Sequence, residues 1–234
     1  MERLLAPAKV TLELRVTGRR PDGYHRIGAE MVSVDLYDTI DVGPGDELEV
    51  VGAHALATGS DNLIRRALAL VDRQASVLLH KRIPPGGGLG GGSSDAAAIL
   101  RWAGFDDVEA AATLGADVPF CVRGGRARVS GVGEHIEALP FVERELTLAI
   151  PPFGCDTAAV YRAWDDLGGP TASGVNDLEP AALVVEPRLA EWRSSLAEAT
   201  GMVPVLAGSG STWFVYGAHP GPGRTVVRTL PPAE

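Results

Sequence analysis

The sequence predicts an α+β fold, and three observations carry that expectation. Residues 8–16 and 31–42 alternate apolar and polar side chains with a period of two, as half-buried strands do. Residues 93–102 and 187–200 read as helices, the first alanine-rich and stopped by Gly104, the second opened by Pro187 and closed by Gly201. Strand and helix patterns are interleaved along 234 residues, enough to bury one large core or two small ones.

Composition narrows the function classes. The chain is 45% hydrophobic and 22% charged, ordinary for a globular protein. Its formal net charge of −9 argues against non-specific binding to nucleic acid. The two cysteines, Cys121 and Cys155, offer neither metal-site spacing nor a disulfide framework, so a reducing cytoplasm is expected. No signal-peptide pattern opens the chain, and no apolar run reaches the length of a membrane span. A soluble cytoplasmic enzyme fits these bounds.

Taken in order, Val10, Leu12, Leu14 and Val16 alternate with Lys9, Thr11, Glu13 and Arg15, which places Lys9 on the polar face of the first strand. Pro21-Asp22-Gly23 is turn chemistry, and it presents Tyr24 and His25 on a loop. That pair can stack on and hydrogen-bond a base, or it can be structural. Residues 31–42 and 48–51 read as strands, and Leu36 to Ile40 as sheet residues without chemistry. Ser60-Asp61-Asn62 caps a helix whose apolar positions include Leu63, Ile64, Ala67 and Leu68, with Arg65, Arg66 and Arg73 on a solvated face.

The apolar stretch 77–83 then runs into Pro84, Pro85, Gly86, Gly87, Gly88, Leu89, Gly90, Gly91, Gly92, Ser93 and Ser94, where six glycines fall within seven residues. Such a run costs backbone entropy and makes sense only where the chain needs positive φ or a close approach. Strand, glycine loop and helix N-terminus together form an anion cradle, for which phosphate is the usual occupant. A Walker A loop fails because Ser93 stands where its lysine should. Gly86-x-Gly88-x-x-Gly91 with Asp106 matches a dinucleotide fingerprint, a match that so dense a glycine run produces almost automatically. A flexible linker would not be flanked so tightly by a strand and a helix.

Ser93 and Ser94 fall in the first turn of that helix, as caps or as ligands of a phosphate or Mg²⁺. A short helix is expected over 106–114. Asp117, in the turn Gly115 to Phe120, is a turn former or cap, or the carboxylate that phosphoryl transfer needs beside an acceptor hydroxyl. Residues 126–134 read as a hairpin. Further on lie a strand at 145–150, a loop ending at Thr157, a capped helix start at Asn176 to Glu179, a glycine turn into a strand over 205–215, and a last strand at 225–230. Two prolines and three glycines keep 217–224 from being helical.

The glycine loop resembles the Pro-x-Gly-Gly-Gly-Leu-Gly-Gly-Gly-Ser-Ser-(Asp/Asn)-Ala-Ala phosphate loop of the GHMP kinases. Three further segments support the resemblance: Pro7-Ala8-Lys9-Val10-Thr11-Leu12, with Thr11 where Asn is usual, Gly115 to Phe120, and Ala207 to Phe214. The signature Arg-x-Asp-Gly-Tyr-His, matched up to His25, is similar to the branch that phosphorylates 4-diphosphocytidyl-2-C-methyl-D-erythritol. The resemblance runs from Pro7 to Leu230 but lacks the family's helix before the last strand, so the second lobe looks trimmed.

The resemblance implies a two-lobed fold. An N-terminal ribosomal-protein-S5-like lobe, residues 1–143, would bind ATP, and a trimmed ferredoxin-like lobe, residues 144–234, would lie on the substrate side. It implies transfer of the ATP γ-phosphate to the 2-hydroxyl of the cytidyl substrate in the non-mevalonate (MEP) isoprenoid pathway. Residues 84–94 would bind ATP. Lys9 and Asp117 would act at the acceptor hydroxyl, and Tyr24, His25, Thr157 and Asn176 would bind substrate. Mg²⁺ would be held mainly by the ATP phosphates, with Ser93 or Ser94 as candidate ligands. The expected partners are small molecules, with no nucleic acid and no membrane, and the chain would be a monomer or a weak homodimer. A homoserine or mevalonate type of GHMP kinase and an inactive nucleotide-binding relative remain as alternatives.

Overall fold

The computed structural model describes residues 1–52 and 57–233. Its first sheet is dominated by a long antiparallel hairpin, β1 (Glu2–Arg19) and β2 (His25–Gly43), closed by the turn at 20–24. Along its other edge β2 pairs with β5 (Arg126–Gly131) through its first half and with β4 (Ser76–Lys81) through its second. β3 (Leu48–Gly52) joins β4 in parallel, and β6 (His135–Ala138) pairs with β5. The second sheet has the order β10 (Arg224–Arg228), β7 (Glu145–Ala149), β9 (Trp213–Tyr216), β8 (Val205–Leu206), all antiparallel. Seven helices among the described residues cover these sheets: α1 (Leu63–Leu70), α2 (Gly91–Trp102), α3 (Val108–Ala112), α4 (Val118–Arg123), α5 (Thr157–Asp166), α6 (Glu179–Val185) and α7 (Leu189–Thr200).

The hairpin divides the interior in two. Ala8, Val10 and Leu12 of β1 pack with Val32 and Val34 against Leu146, Leu148, Phe214 and Val227 of the second sheet. Register shifts between Thr11 and Glu13, and again between Val16 and Gly18, break the alternation. Beyond the first of these shifts Leu14 joins a different core, with Met31, Ile99, Leu100 and Phe120, on the side of α2 and α4. The first strand is therefore not half-buried across 8–12, because its polar face is enclosed as well: Lys9 is 5% exposed and Thr11 is 1% exposed.

Most element positions follow the expected pattern, and the differences have local causes. The alanine-rich helix begins at Gly91, two residues before Ser93. The turn at Gly115 to Phe120 continues into α4, with Pro119 in its first turn, where the missing N–H costs nothing. Arg65, Arg66 and Arg73 are not simply solvated: Arg66 donates to the carbonyls of Thr113 and Leu114, Arg65 to those of Thr58 and Asp46, and Arg73 lies over the Trp102 ring. Residues 217–223 run as turn and loop. The segment after β10 leaves its own sheet: Leu230 N–H donates to the Ser33 carbonyl, and Ala233 N–H to that of Arg123. It thus straps the second sheet to the first.

The two sheets also meet at the glycine loop. The Gly86 carbonyl accepts from the N–H groups of Cys155 and Ser211, and the Gly87 carbonyl from that of Thr212. Such backbone-on-backbone packing leaves no room for side chains. A Cβ on Gly88, which has φ of +76°, would fall against the carbonyl oxygens of Ala207 and Gly210. Gly88→Ala is expected to lose about 3 kcal/mol of unfolding free energy from strained φ and overpacking together. Urea titration measures this, and a loss below about 0.5 kcal/mol, the scatter of surface substitutions, would contradict the seam as described.

Candidate active site

Between the sheets lies a cavity of about 720 Å³, open at one side. Its floor is the phosphate loop. Gly86, Gly88 and Gly90 have φ of +70°, +76° and +67°, alternating with residues of ordinary φ. That alternation is the backbone pattern of an anion-binding nest, within which the Gly87 N–H closes a turn onto the Pro84 carbonyl at 3.4 Å. Gly90 is the N-cap of α2 and supplies no side-chain hydrogen bond, so the first N–H groups of the helix are left to whatever occupies the cavity.

Lys9 reaches this floor from β1. Its N–H donates to the Leu89 carbonyl at 2.9 Å, which fixes the strand to the loop. Its stem passes over Gly90, where a Cβ would stand 2.8 Å from Lys9 Cγ. The ammonium donates to Thr11 Oγ1 at 3.1 Å and lies 3.3 Å from Asp117 Oδ2. Thr11, at the position where Asn was the expected residue, therefore holds the lysine directly. Asp117 precedes α4 without capping it, so its carboxylate stays free to face the cavity, about one third exposed beside a buried ammonium.

At the far end the turn of the β1–β2 hairpin brings Tyr24 and His25 to the cavity rim, with Tyr24 68% exposed. The two rings are not partners. His25 instead stacks on Tyr161, with centroids 4.8 Å apart and planes 18° from parallel, and meets Trp164 edge-on. Its Nε2 bonds Asp165 Oδ1 at 2.8 Å, and Arg19 approaches the other oxygen of the same carboxylate at 3.3 Å. Burial pushes the Tyr161 phenol up, and the Asp117 carboxylate adds to that shift. Thr157, at the start of α5, shares a 2.8 Å hydrogen bond with Ser209 of the glycine turn after β8.

The structure brings Lys9, Asp117, Tyr24, His25, Thr157, Ser93 and the loop glycines to one cavity, with Pro84 and Pro85 at its edge. Three expected site residues are placed elsewhere. The Asn176 side chain donates to the carbonyls of Leu206 and Gly208 and accepts from Leu178 N–H, so both of its N–H donors are committed to buried framework, and it does not line the cavity. The Ser94 hydroxyl donates to the Pro7 carbonyl from a fully buried position and does not line the cavity. The Leu89 side chain points into the core between the sheets, so only its backbone belongs to the loop. Tyr161 and Asp165 line the cavity without having been singled out. Their signal was present, because Thr157, Tyr161 and Asp165 recur at spacing four and so share one helix face. Among the described residues no group of three or more His, Cys, Asp or Glu could hold a metal, and no helix is long and apolar enough to cross a membrane.

Comparison with known proteins bears on the family and the fold. Residues 62–125 match the family model of the GHMP kinases N terminal domain. The chain is 39% identical over 250 residues to a protein of Pelotomaculum thermopropionicum named 4-diphosphocytidyl-2-C-methyl-D-erythritol kinase, covering 90% of this chain and 87% of that one. A protein of the same name from Cereibacter sphaeroides is 36% identical over 262 residues, covering 98% and 94%. Among solved structures, a 4-(cytidine 5'-diphospho)-2C-methyl-D-erythritol kinase superposes with a TM-score of 0.77 at 31% identity, covering 97% of this chain and 99% of that one.

The reassignment of Asn176 is open to a direct check. Asn176→Ala removes three hydrogen bonds and strands buried backbone groups, which is expected to cost about 3 kcal/mol of unfolding free energy in urea. A cost below about 0.5 kcal/mol would mean that the amide is not part of the framework.

Proposed function

The chain belongs to the 4-diphosphocytidyl-2-C-methyl-D-erythritol kinases of the GHMP superfamily, and from that premise we infer that it transfers the γ-phosphoryl group of ATP to the 2-hydroxyl of 4-diphosphocytidyl-2-C-methyl-D-erythritol. This is a step of non-mevalonate isoprenoid synthesis. The observation that carries the reading is the Lys9–Asp117 pair at 3.3 Å, in one cavity with the open N-terminus of α2 and with Tyr24 and His25.

Each part of the cavity has a task in that reaction. The N–H groups of the glycine nest and the first turn of α2 receive the ATP phosphates, with no side-chain cap to compete. The acceptor hydroxyl sits at Asp117, which takes its proton as the oxygen bonds to the γ-phosphorus and the bond to the β–γ bridging oxygen breaks, releasing ADP. Lys9, held by Thr11, fixes the carboxylate and stabilises charge developing on the attacking oxygen and the transferring phosphoryl group. The protein donors suit Mg²⁺ only as a minor share of its shell: Ser93 and Asp117 line the cavity, and the ATP phosphates would supply most of the ligands. When bound, Mg²⁺ neutralises phosphate charge.

The base of the cytidyl group lies at the other end, against Tyr24, His25 and Tyr161. Asp165 holds the His25 ring in place while its outward edge reads the pyrimidine. The aromatic end argues against a homoserine or mevalonate acceptor, neither of which carries a base, and the intact Lys9–Asp117 pair argues against an inactive relative. Both thiols are free and buried, which suits the reducing cytoplasm in which we place the enzyme.

The first test is ATP consumption by the purified protein with Mg²⁺ and the cytidyl substrate, run beside homoserine and mevalonate. Turnover is expected with the cytidyl substrate alone, and preference for another acceptor would overturn the assignment. Asp117→Ala is expected to lower kcat by about 10³-fold while ATP still binds; full activity in that variant would remove Asp117 from the reaction. Tyr24→Ala is expected to raise KM for the cytidyl substrate about tenfold, the worth of one base stack, and to leave KM for ATP alone. An equal rise in both would make Tyr24 structural.

A further inference from the structure

Beneath the phosphate loop three ionisable side chains are sealed from solvent, and none of them lines the cavity. Lys81 ends β4, Asp38 lies on β2, and Asp95 follows the first turn of α2; their side chains are 1%, 0% and 3% exposed. Leu36 to Ile40 were expected to be sheet residues without chemistry, and Asp38 is the exception. The Lys81 ammonium donates to Asp38 Oδ2 at 2.5 Å and to Asp95 Oδ2 at 2.7 Å. The other Asp38 oxygen accepts the backbone N–H groups of Arg82 and Ile83, the link from β4 to Pro84, at 2.6 and 2.8 Å. Asp95 rides on the helix that leaves the loop, and a Cβ on Gly91 would stand 2.8 Å from Lys81 Nζ. One ammonium thus ties the strand leading into the loop to the helix leading out of it.

The charges in this cluster do not balance if both carboxyls are ionised. Asp38 collects three donors. Asp95 has one, and its Oδ1 is buried with no hydrogen-bond partner. An uncompensated charge there would be costly. It would also oppose phosphate binding from behind the nest. The groups facing Asp95 are Lys81 from β4, Asp38 from β2 and the Cys121 thiol from α4, which burial pushes up to about 12 and so keeps neutral. Burial, opposed by Lys81 and helped by Asp38, pushes the Asp95 carboxyl up to about 7.

We propose that the Lys81–Asp38–Asp95 cluster is the positioning element of the phosphate loop: one buried ammonium fixes the strand that enters the loop against the helix that leaves it. The choice of ligand rests on the ATP-dependent reading above.

Two measurements test the proposal. The first is hydrogen exchange of the backbone amides of residues 86–92, without nucleotide, in the wild type, Asp95→Asn and Asp95→Ala. Exchange about tenfold faster is expected in Asp95→Ala, with Asp95→Asn, which keeps an acceptor for Lys81, close to the wild type and the amides of β10 unchanged in both. Unchanged exchange over 86–92 in folded Asp95→Ala would overturn the positioning role. The second is calorimetric binding of ATP, without acceptor, to the wild type, Lys81→Met and Asp95→Ala. An affinity loss of about tenfold is expected in both variants, the worth of about one net hydrogen bond to the phosphates. Asp95→Ala keeps the Lys81–Asp38 pair and so serves if Lys81→Met does not fold. Unchanged ATP affinity in folded Asp95→Ala would make the cluster structural only. Failure of the wild type itself to bind ATP would instead count against the nucleotide reading, and the hydrogen exchange would still judge the positioning.

Discussion

The arrangement depends on one close approach, the packing of the backbone at Gly86 to Gly88 against the loops at 154–155 and 207–212. Carbonyls on one side of this short segment accept hydrogen bonds from the second sheet's loops. Alternating positive φ values give the same segment the backbone pattern of an anion nest where it lines the cavity. The same peptide units therefore join the lobes and build the anion nest. Residues with side chains could serve one of these ends but not both, which is why a run so costly in backbone entropy is placed here.

A protein with a net charge of −9 is not an obvious host for a nucleoside triphosphate and a diphosphate ester. The site resolves this with fixed dipoles and local cations. Lys9 is pinned by Thr11 and paired with Asp117, and Arg19 is paired with Asp165, so the side-chain cations lining the loop and the hairpin turn are largely matched already. Peptide N–H groups carry no titrating proton and need little reorganisation when an anion arrives. They are also sensitive to whatever lies directly beneath them, which gives the sealed lysine and its two carboxyls their significance.

What could be read from the sequence followed from local conformational demand. The glycine loop, the Pro21-Asp22-Gly23 turn and the helix boundary at Gly201 each reflect what a few adjacent residues can or cannot adopt. The period-two pattern of β1 was legible too, but its bulges were not, so the enclosure of Lys9 and Thr11 on the polar face was not foreseen. Lys9 and Asp117 lie far apart in the chain, and no spacing argument could bring them together; only the resemblance did. Asn176 and Ser94 belong to shared segments too, yet their donors are committed to backbone carbonyls and neither residue lines the cavity. The Asp38–Lys81–Asp95 cluster draws on three separate elements, each of which reads as ordinary strand or helix.

The strap after β10 bears on how the molecule is assembled. Leu230 bonds the Ser33 carbonyl, closing almost the whole length of the sequence into one ring. Loop-closure entropy makes such a contact among the most expensive to form, and it returns free energy only once both sheets exist. The strands of the first sheet all come from residues 2–138 and those of the second from residues 145–228, so each sheet can collapse on contacts of its own. The folding order that follows is two separate collapses and then a late docking. The nest is completed in that last step, so competence to bind nucleotide should appear with the native state and not before it.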